Sequence, residues 1–516
     1  MIPGLKQRLL GVAGQANSDD VQKSSASSSL LHHAGNDGHH QHLTQEVSLS
    51  EDEILRRLSG KHAGGNPRLK RSFLLKLAVA LHSYGSSASR TEYLIDRAAD
   101  CLNVETSIAV FPSLILLSFP MSDDDHDPTR DRKDIHVLTV ESQLDVDKLG
   151  RTDQLANRVG KEGAPVLLAY WRLKAIAKSP PAFGIWWRLF CFSLSSAMAS
   201  LLFFDGGLWD GAFSFLLGCA VGILELISSR SPLFATVLEF SSACVVSFLA
   251  RVLSVYLKDK FNVCYFSMAL SAVVQLLPGM PLTVGVSEMV AESHVTGTSR
   301  VMYALFAALQ LGFGLAVGED MMWWAPKPSK QGCPPQDLPI WTKGIWFAGF
   351  TFSSNVLLNA RLEQWPGMVL SSFVGYVISQ VLSSHIDQGT GDCIAAFAVG
   401  LTGTAYSNVT GDLPLVMVLS GILLLVPGGI GVRGVEAMLK DDVLSGMGFV
   451  FNMLVVGLSI TIGLLMSKLV LPSGLFGAGR LSWYNKFNLA TQLVEDGDDA
   501  AAEEEAAEIH QEHMAI

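Results

Sequence analysis

The chain has 516 residues, 49% of them apolar and only 16% charged, with a net charge of −11. An average soluble protein carries about 25% charged residues, so this balance excludes an ordinary soluble globule and fits a membrane protein. The negative charge comes largely from the C-terminal run "EDGDDAAAEEEAAEIHQEH", and no basic face stands out, which argues against nucleic acid as a partner.

Residues 1–66 are rich in Ser, Gly, His and Asp without a sustained apolar period. They cannot bury enough surface to offset ordering entropy and read as a disordered tail. His32, His33, His39, His40 and His42 read as a solvated tract, so no metal site and no cofactor is expected. "MIPGLKQRLLGVAGQ" lacks the apolar core of a secretory signal.

Residues 67–172 have the pattern of a small soluble α/β domain. "SFLLKLAVALHSYG" has apolar residues at helical spacing and should stop at Gly85. "SRTEYLIDRAADCL" predicts a second helix with Ser89 as its cap. "TSIAVFPSLILLSFP" and "DIHVLTV" are β-branched and suit strands around a charged connection. "VDKLGRTDQLANRVG" predicts another helix ending near Gly160.

About ten apolar blocks follow, each near the ~20 residues that span a ~30 Å hydrocarbon core as helix. They are placed at 183–204, 211–228, 233–256, 263–289, 299–318, 339–359, 365–384, 391–409, 413–435 and 447–471. The seven cysteines form no close pair; they read as small buried hydrophobes, and their odd count argues against a full disulfide framework.

A shift of 149 residues aligns Pro278 with Pro427, Gly279 with Gly428, Gly285 with Gly434, Val286 with Val435, Met289 with Met438 and Gly297 with Gly446. "GIWWRLFCFS" from Gly184 likewise matches "GIWFAGFTFS" from Gly344. The body therefore reads as two five-helix repeats, 181–320 and 338–472, followed by an acidic tail at 473–516. Five spans per copy invert the second copy relative to the first, a plan that recurs in secondary transporters with interrupted helices near the midplane.

Pro inside a helix removes one backbone bond and clashes with the preceding turn, about 3 kcal/mol. Two such breaks at matching positions point to a site, with each restarted half-helix offering its positive N-terminus to a carboxylate. The expected substrate-binding residues are Pro278, Gly279, Thr283 and Ser287 in the first copy, and Pro427, Gly428, Gly429 and Arg433 in the second. A charge inside the membrane is costly and usually has a task or a partner, which makes Glu288 and Glu436 candidates for proton coupling. Two readings stay open for Arg433, a substrate carboxylate or Glu436 one turn on, and Glu288 equally reads as a residue at the water interface. Glu225 and Glu239 read as lining a polar path or as structural partners of Arg251, while Gln275, Gln310, Asn355, Asn359, Gln380 and Asn452 read as interhelical glue.

The runs "LHSYGSSASRTEYLIDRAADCLNV", "LLPGMPLTVGVSEMVAESHVTGTSR" and "LLVPGGIGVRGVEAMLKDD" together resemble the threonine/serine exporter family, which includes fungal pheromone-regulated membrane proteins. The resemblance covers roughly residues 68–472 and implies a cytosolic α/β domain, ten membrane helices in two halves, and proton-driven export of small hydrophilic amino acids. It places Pro278, Gly279 and Glu288 in the first broken helix and Pro427, Gly428 and Arg433 in the second, with Glu288 standing where the family pattern carries Asp.

The chain is thus expected to be an α-helical polytopic membrane protein: about ten transmembrane helices as two inverted five-helix repeats, preceded by a small soluble α/β domain. Its expected function is export of threonine- or serine-like amino acids by proton antiport with alternating access. Dicarboxylate export or a channel-like pore is the alternative, and a hydrolase built on His82, Ser83 or Asp96 the more distant one. The expected partners are the small-molecule substrate, protons and the lipid bilayer, with self-association left open. Arg172, Lys174 and Lys178 before the first block, with Arg480 and Lys486 after the last, favour cytosolic termini. Lys258, Lys260, Lys327, Lys330 and Lys343 oppose that orientation, and the sequence does not say which membrane is used.

Overall fold

A computed structural model describes residues 67–120, 133–140, 142–162, 166–204, 206–257, 261, 263–291, 293–324, 340–382, 385–425 and 443–471. The N-terminal tail, the acidic C-terminal tail and the second Pro-Gly stretch lie outside them.

The chain begins with α1 (Pro67–Ser83) and α2 (Ala88–Cys101). Proline at the first helical position suits α1, since its missing N–H would have had no partner there. Gly85 ends the turn after α1 at φ +94, a left-handed conformation that a side chain would strain. Ser87, not Ser89, occupies the cap position of α2, and its side chain makes no capping bond. A three-stranded antiparallel sheet follows, ordered β1 (Ser107–Phe111), β2 (Leu114–Pro120), β3 (Lys133–Thr139). It is closed by α3 (Val146–Glu162) and α4 (Val166–Lys178). Phe73, Leu77, Leu81, Ile95, Ile115, Leu117, Phe119 and Leu149 are fully buried in this region. Full burial of each such side chain stabilises by about 1.5–3 kcal/mol.

The helical body runs through α5 (Ile185–Phe203), α6 (Leu208–Ser228), α7 (Leu238–Tyr256), α8 (Tyr265–Ala272), α9 (Gly279–Val290) and α10 (His294–Asp320). It continues with α11 (Ile340–Leu357), α12 (Trp365–Leu382), α13 (Gln388–Thr410), α14 (Pro414–Leu425) and α15 (Val443–Val470). Among the described residues, six helices are long and apolar enough to cross a membrane: Ile185–Phe203, Leu208–Ser228, Leu238–Tyr256, His294–Asp320, Leu362–Leu382 and Phe451–Val470. The bent pair Tyr265–Ala272 and Val274–Val290 makes a seventh when taken as one span.

Lipid is as apolar as leucine, so these helices associate through small residues and hydroxyls rather than through a hydrophobic drive. Ser200 and Ser267 hydroxyls lie 2.7 Å apart, and Ser271 donates to Ser214 at 2.8 Å. Ser420 donates to Asn355 Oδ1 at 3.1 Å and meets Ser372 at 2.7 Å, so Asn355 does serve as glue between helices. The cysteine reading needs one correction: Cys101, Cys191, Cys219, Cys244 and Cys393 are free, but Cys264 is disulfide-bonded, to a partner outside the described residues. Spacing along a sequence does not reveal such a cross-link.

Among the described residues, several contacts join the α/β region to the turns between helices of the body. Thr296 donates to Val110 O at 3.1 Å where α9 passes into α10. Val146 N–H bonds Leu358 O at 3.1 Å, and Asp147 holds Arg361 at 3.2 Å, between α11 and α12. Gln154 reaches Asp412 at 3.4 Å between α13 and α14. Burial raises the Asp147 pKa, and the Arg361 guanidinium pulls it back down.

Candidate functional site

After α8 the chain tightens into one 3₁₀ turn at Val274–Leu276, and Leu277 is extended at ψ 128. The helix restarts with Pro278 at its cap position, and the two segments are bent by 51°. Pro278 and Pro281 have no N–H, and Leu282 N–H bonds Pro278 O at 3.2 Å. That leaves the Gly279 and Met280 N–H groups as first-turn donors with no partner inside the helix. Among the described residues, no side chain at the cap position bonds them. In an apolar surrounding this is a ready seat for a carboxylate.

A cavity of ≈ 330 Å³ lies against this break. It falls at the lower end of the ~300–1,000 Å³ range of small-ligand sites. Gln275, Pro278 and Met280 contribute the broken segment, Glu239 and Tyr303 come from α7 and α10, and Ser354 and Leu423 from α11 and α14. Tyr303 donates to Glu239 Oε1 at 3.4 Å. The buried Ser354 hydroxyl has no hydrogen-bond partner. A buried hydroxyl left unmatched is costly, so Ser354 is available to a bound polar molecule. Leu358 also lines the cavity, and its carbonyl takes the Val146 N–H, so the cavity lies on the side of the helical body that faces the α/β region.

The sequence-derived candidates divide accordingly. Pro278 lines the cavity and Gly279 follows it. Thr283 is buried with its hydroxyl donating to Gly279 O at 3.1 Å, and neither it nor Ser287 lines the cavity. Pro427, Gly428, Gly429, Arg433 and Glu436 lie outside the described residues, though Leu423, four positions before Pro427, does line it. Gln275 belongs to the cavity wall.

Glu288 stands ten residues beyond Pro278, about 15 Å along the helix and half of a ~30 Å hydrocarbon core. Only 2% exposed, it accepts the Ala88 N–H at 3.2 Å, so it caps α2 of the α/β region across 200 residues of sequence. Arg300 Nε lies 3.2 Å from its other oxygen, a charge contact without hydrogen-bond alignment. His82 lies close by, fully buried, with Nε2 3.1 Å from Pro112 O and Nδ1 unpartnered. Burial lowers the His82 pKa and the nearby Arg300 adds to this, while the Pro112 contact works the other way.

Two other expectations are resolved by geometry. Glu239 and Arg251 sit twelve residues apart on α7, about 18 Å along its axis, too far to pair. Arg251 lies beside Ser254 and the Tyr265 ring, and Glu225 has Arg188 as its neighbouring charge. Ser83 donates to Ala80 O and His82 Nδ1 bonds nothing, so no nucleophile and base pair forms at the hydrolase candidates.

The apolar spans and small antiparallel sheet define a helical multi-pass membrane protein with an N-terminal α/β region. The family described as "Putative threonine/serine exporter" matches residues 72–322 and 334–470, and the chain belongs to that family. An uncharacterized protein of Schizosaccharomyces pombe is 28% identical over 439 residues, which cover 80% of this chain and 57% of the relative. The pheromone-regulated membrane protein 10 of Debaryomyces hansenii is 26% identical over 433 residues, covering 78% and 42%. Its namesake in Saccharomyces cerevisiae is 26% identical over 472 residues, covering 83% and 60%. The chain thus spans between 42% and 60% of the length of these curated relatives. No solved structure matches it.

Proposed function

We propose that the chain is a secondary active exporter of small amino acids of the threonine or serine kind, working by proton antiport with alternating access between two inverted five-helix halves. One observation carries the reading: the unwound stretch around Pro278 lines a cavity walled by residues from both halves of the sequence. The substrate carboxylate is seated at the Gly279 and Met280 N–H groups and its hydroxyl is met by Ser354. Pro427, Gly428, Gly429 and Arg433 serve the same site from the second half. Glu288, held against the α/β region, works at the cytosolic door of this path rather than in the pocket itself.

The two-halves reading is supported by packing as well as by sequence. A Cβ added to Gly314 would meet Phe240 O, Ala243 Cβ and Cys244 N. One added to Gly463 would meet Cys393 O, Ala396 Cβ and Phe397 N, the same three atoms in the same roles. The deciding experiment is uptake by vesicles holding the full chain, using labelled amino acids and dicarboxylates with and without a pH gradient. Threonine or serine flux that follows the gradient and falls in Ser354→Ala supports the reading; flux without stoichiometric proton movement makes the protein a channel instead.

A further inference from the structure

The matched packing extends to a pair of carboxylates that no motif contains. Gly314 and Gly463 are separated by 149 residues, the same shift that relates Pro278 to Pro427. Their partners Phe240 and Cys393, Ala243 and Ala396, and Cys244 and Phe397 are each separated by 153. Ser247 against Gly318 and Gly400 against Ser467 keep both shifts one helical turn further along. The shift of 153 carries Glu239, one residue before Phe240, onto Asp392, one residue before Cys393. Helices α7 and α13 therefore enter their halves with an acidic residue at the same position of the same helix crossing.

The two carboxylates differ in surroundings. Glu239 is half-buried, lines the cavity beside the first break and accepts a bond from Tyr303. Asp392 is 6% exposed, and its Oδ2 is buried with no hydrogen-bond partner. Gly391 packs at Leu382, the end of α12 farthest from Arg361 and the α/β region, and Gly389 packs at Val455 and Ser459 of α15. Among the described residues, the elements packed on α13 offer Asp392 no counter-charge: α12 and α14 carry no charged residue. On α15 the one charge is Lys468, nine residues past Ser459 and about 13 Å along the axis. Near the start of α13 itself stand Asp387 and His385, both exposed. An ionised carboxylate without a partner cannot stay out of water. Such a site suits a carboxyl that takes up or gives off its proton when that half opens to water.

Building on the two-halves reading, we propose that Asp392 is a proton-carrying carboxylate of the transport cycle, the counterpart in the second half of Glu239 in the first. Glu239 is reached from the α/β side in this conformation, and Asp392 is sealed on the far side. When the far half opens, water reaches Oδ2; the O–H bond there breaks or forms, and the proton passes to or from that water. Closure restores the neutral carboxyl.

The test uses the full chain reconstituted in vesicles. D392N is expected to cut pH-gradient-driven flux by about tenfold or more, the scale of a lost proton-transfer group, while exchange of labelled for unlabelled substrate at equal pH falls much less. Gradient-driven flux that survives in D392N overturns the proposal, as does an equal loss of both activities, which marks a structural role. Independently of any substrate, a lipid-soluble carbodiimide should add to the protonated Asp392 carboxyl, as read by peptide mass. An unmodified Asp392 overturns the proposal. A wild-type chain that moves no substrate in the panel refutes the transport reading instead, and labelling then decides for Asp392 alone.

Discussion

The two ends of helix α9 are built on opposite principles. At the Pro278 end, backbone donors are left open, a cavity adjoins them, and among the described residues no capping side chain closes the turn. The Glu288 end is tied to its surroundings: one carboxylate oxygen caps α2, the other faces the Arg300 charge, and Thr296 ties the next helix to Val110. An open end can accept a ligand, and a matched end can only hold or release what it already grips. A twelve-residue rod with one of each is suited to pass a change at the break to the α/β region.

The strongest way to break this contrast is to separate α9 from α10. A Cβ on Gly297 would sit 2.6 Å from Met289 N and 2.7 Å from Gly285 O, backbone atoms that cannot yield cheaply. Gly297→Val should therefore destabilise by about 3 kcal/mol, at the upper end for overpacking, and remove most folded protein. Thermal unfolding in detergent measures it. Next in size is Arg300→Ala, which strands the buried Glu288 charge. Breaking a buried pair costs about 3–5 kcal/mol, reduced here because the Arg300 side chain is 20% exposed. Amide exchange in residues 88–101 should rise, and adding Glu288→Gln should restore part of the protection, since the amide oxygen still accepts the Ala88 N–H.

At the open end, Pro278→Ala should leave folding intact or improved, because the bond that Pro denies becomes available. Transport should fall by about tenfold or more as the unwound seat closes into continuous helix. Vesicle flux beside an unchanged unfolding midpoint would establish that split. A smaller effect concerns pH. The His82 pKa is lowered in the folded chain, so the unfolded chain binds its proton first. Stability from this group is complete above its ordinary 6.5 and is lost as the pH falls below that value. His82→Gln should flatten that slope in unfolding midpoints read from pH 7 downward. Tyr303→Phe is the mildest change, removing one long bond worth about 0.5 kcal/mol, and should alter substrate half-saturation more than folding.

Much of this contrast can be read in the sequence at one end and almost none at the other. Pro278 and Gly279 announce the break because their effects are local: a missing N–H and a missing Cβ act on the turn in which they sit. The helical blocks follow for the same reason, each being defined by its own ~20 residues. Glu288 showed as an isolated charge, but its partner Ala88 is 200 positions away and contributes only a backbone N–H, which no residue type advertises. Ser89 looked like the natural cap of α2 for want of that information. Glu239 showed in the sequence as a candidate for a polar path and does line the cavity, whereas Ser354 carried no such signal and Asp392 became visible only through a packing match between helices.

The close crossing of Gly285 and Gly297 has a mechanical corollary. With backbone close against backbone at that crossing, α9 and α10 are expected to move together as one stiff hairpin. A rotation of the short helix at its broken end should then reach the N-terminal sheet through Thr296 and Val110, so a label on β1 is expected to report occupancy of a pocket it never touches.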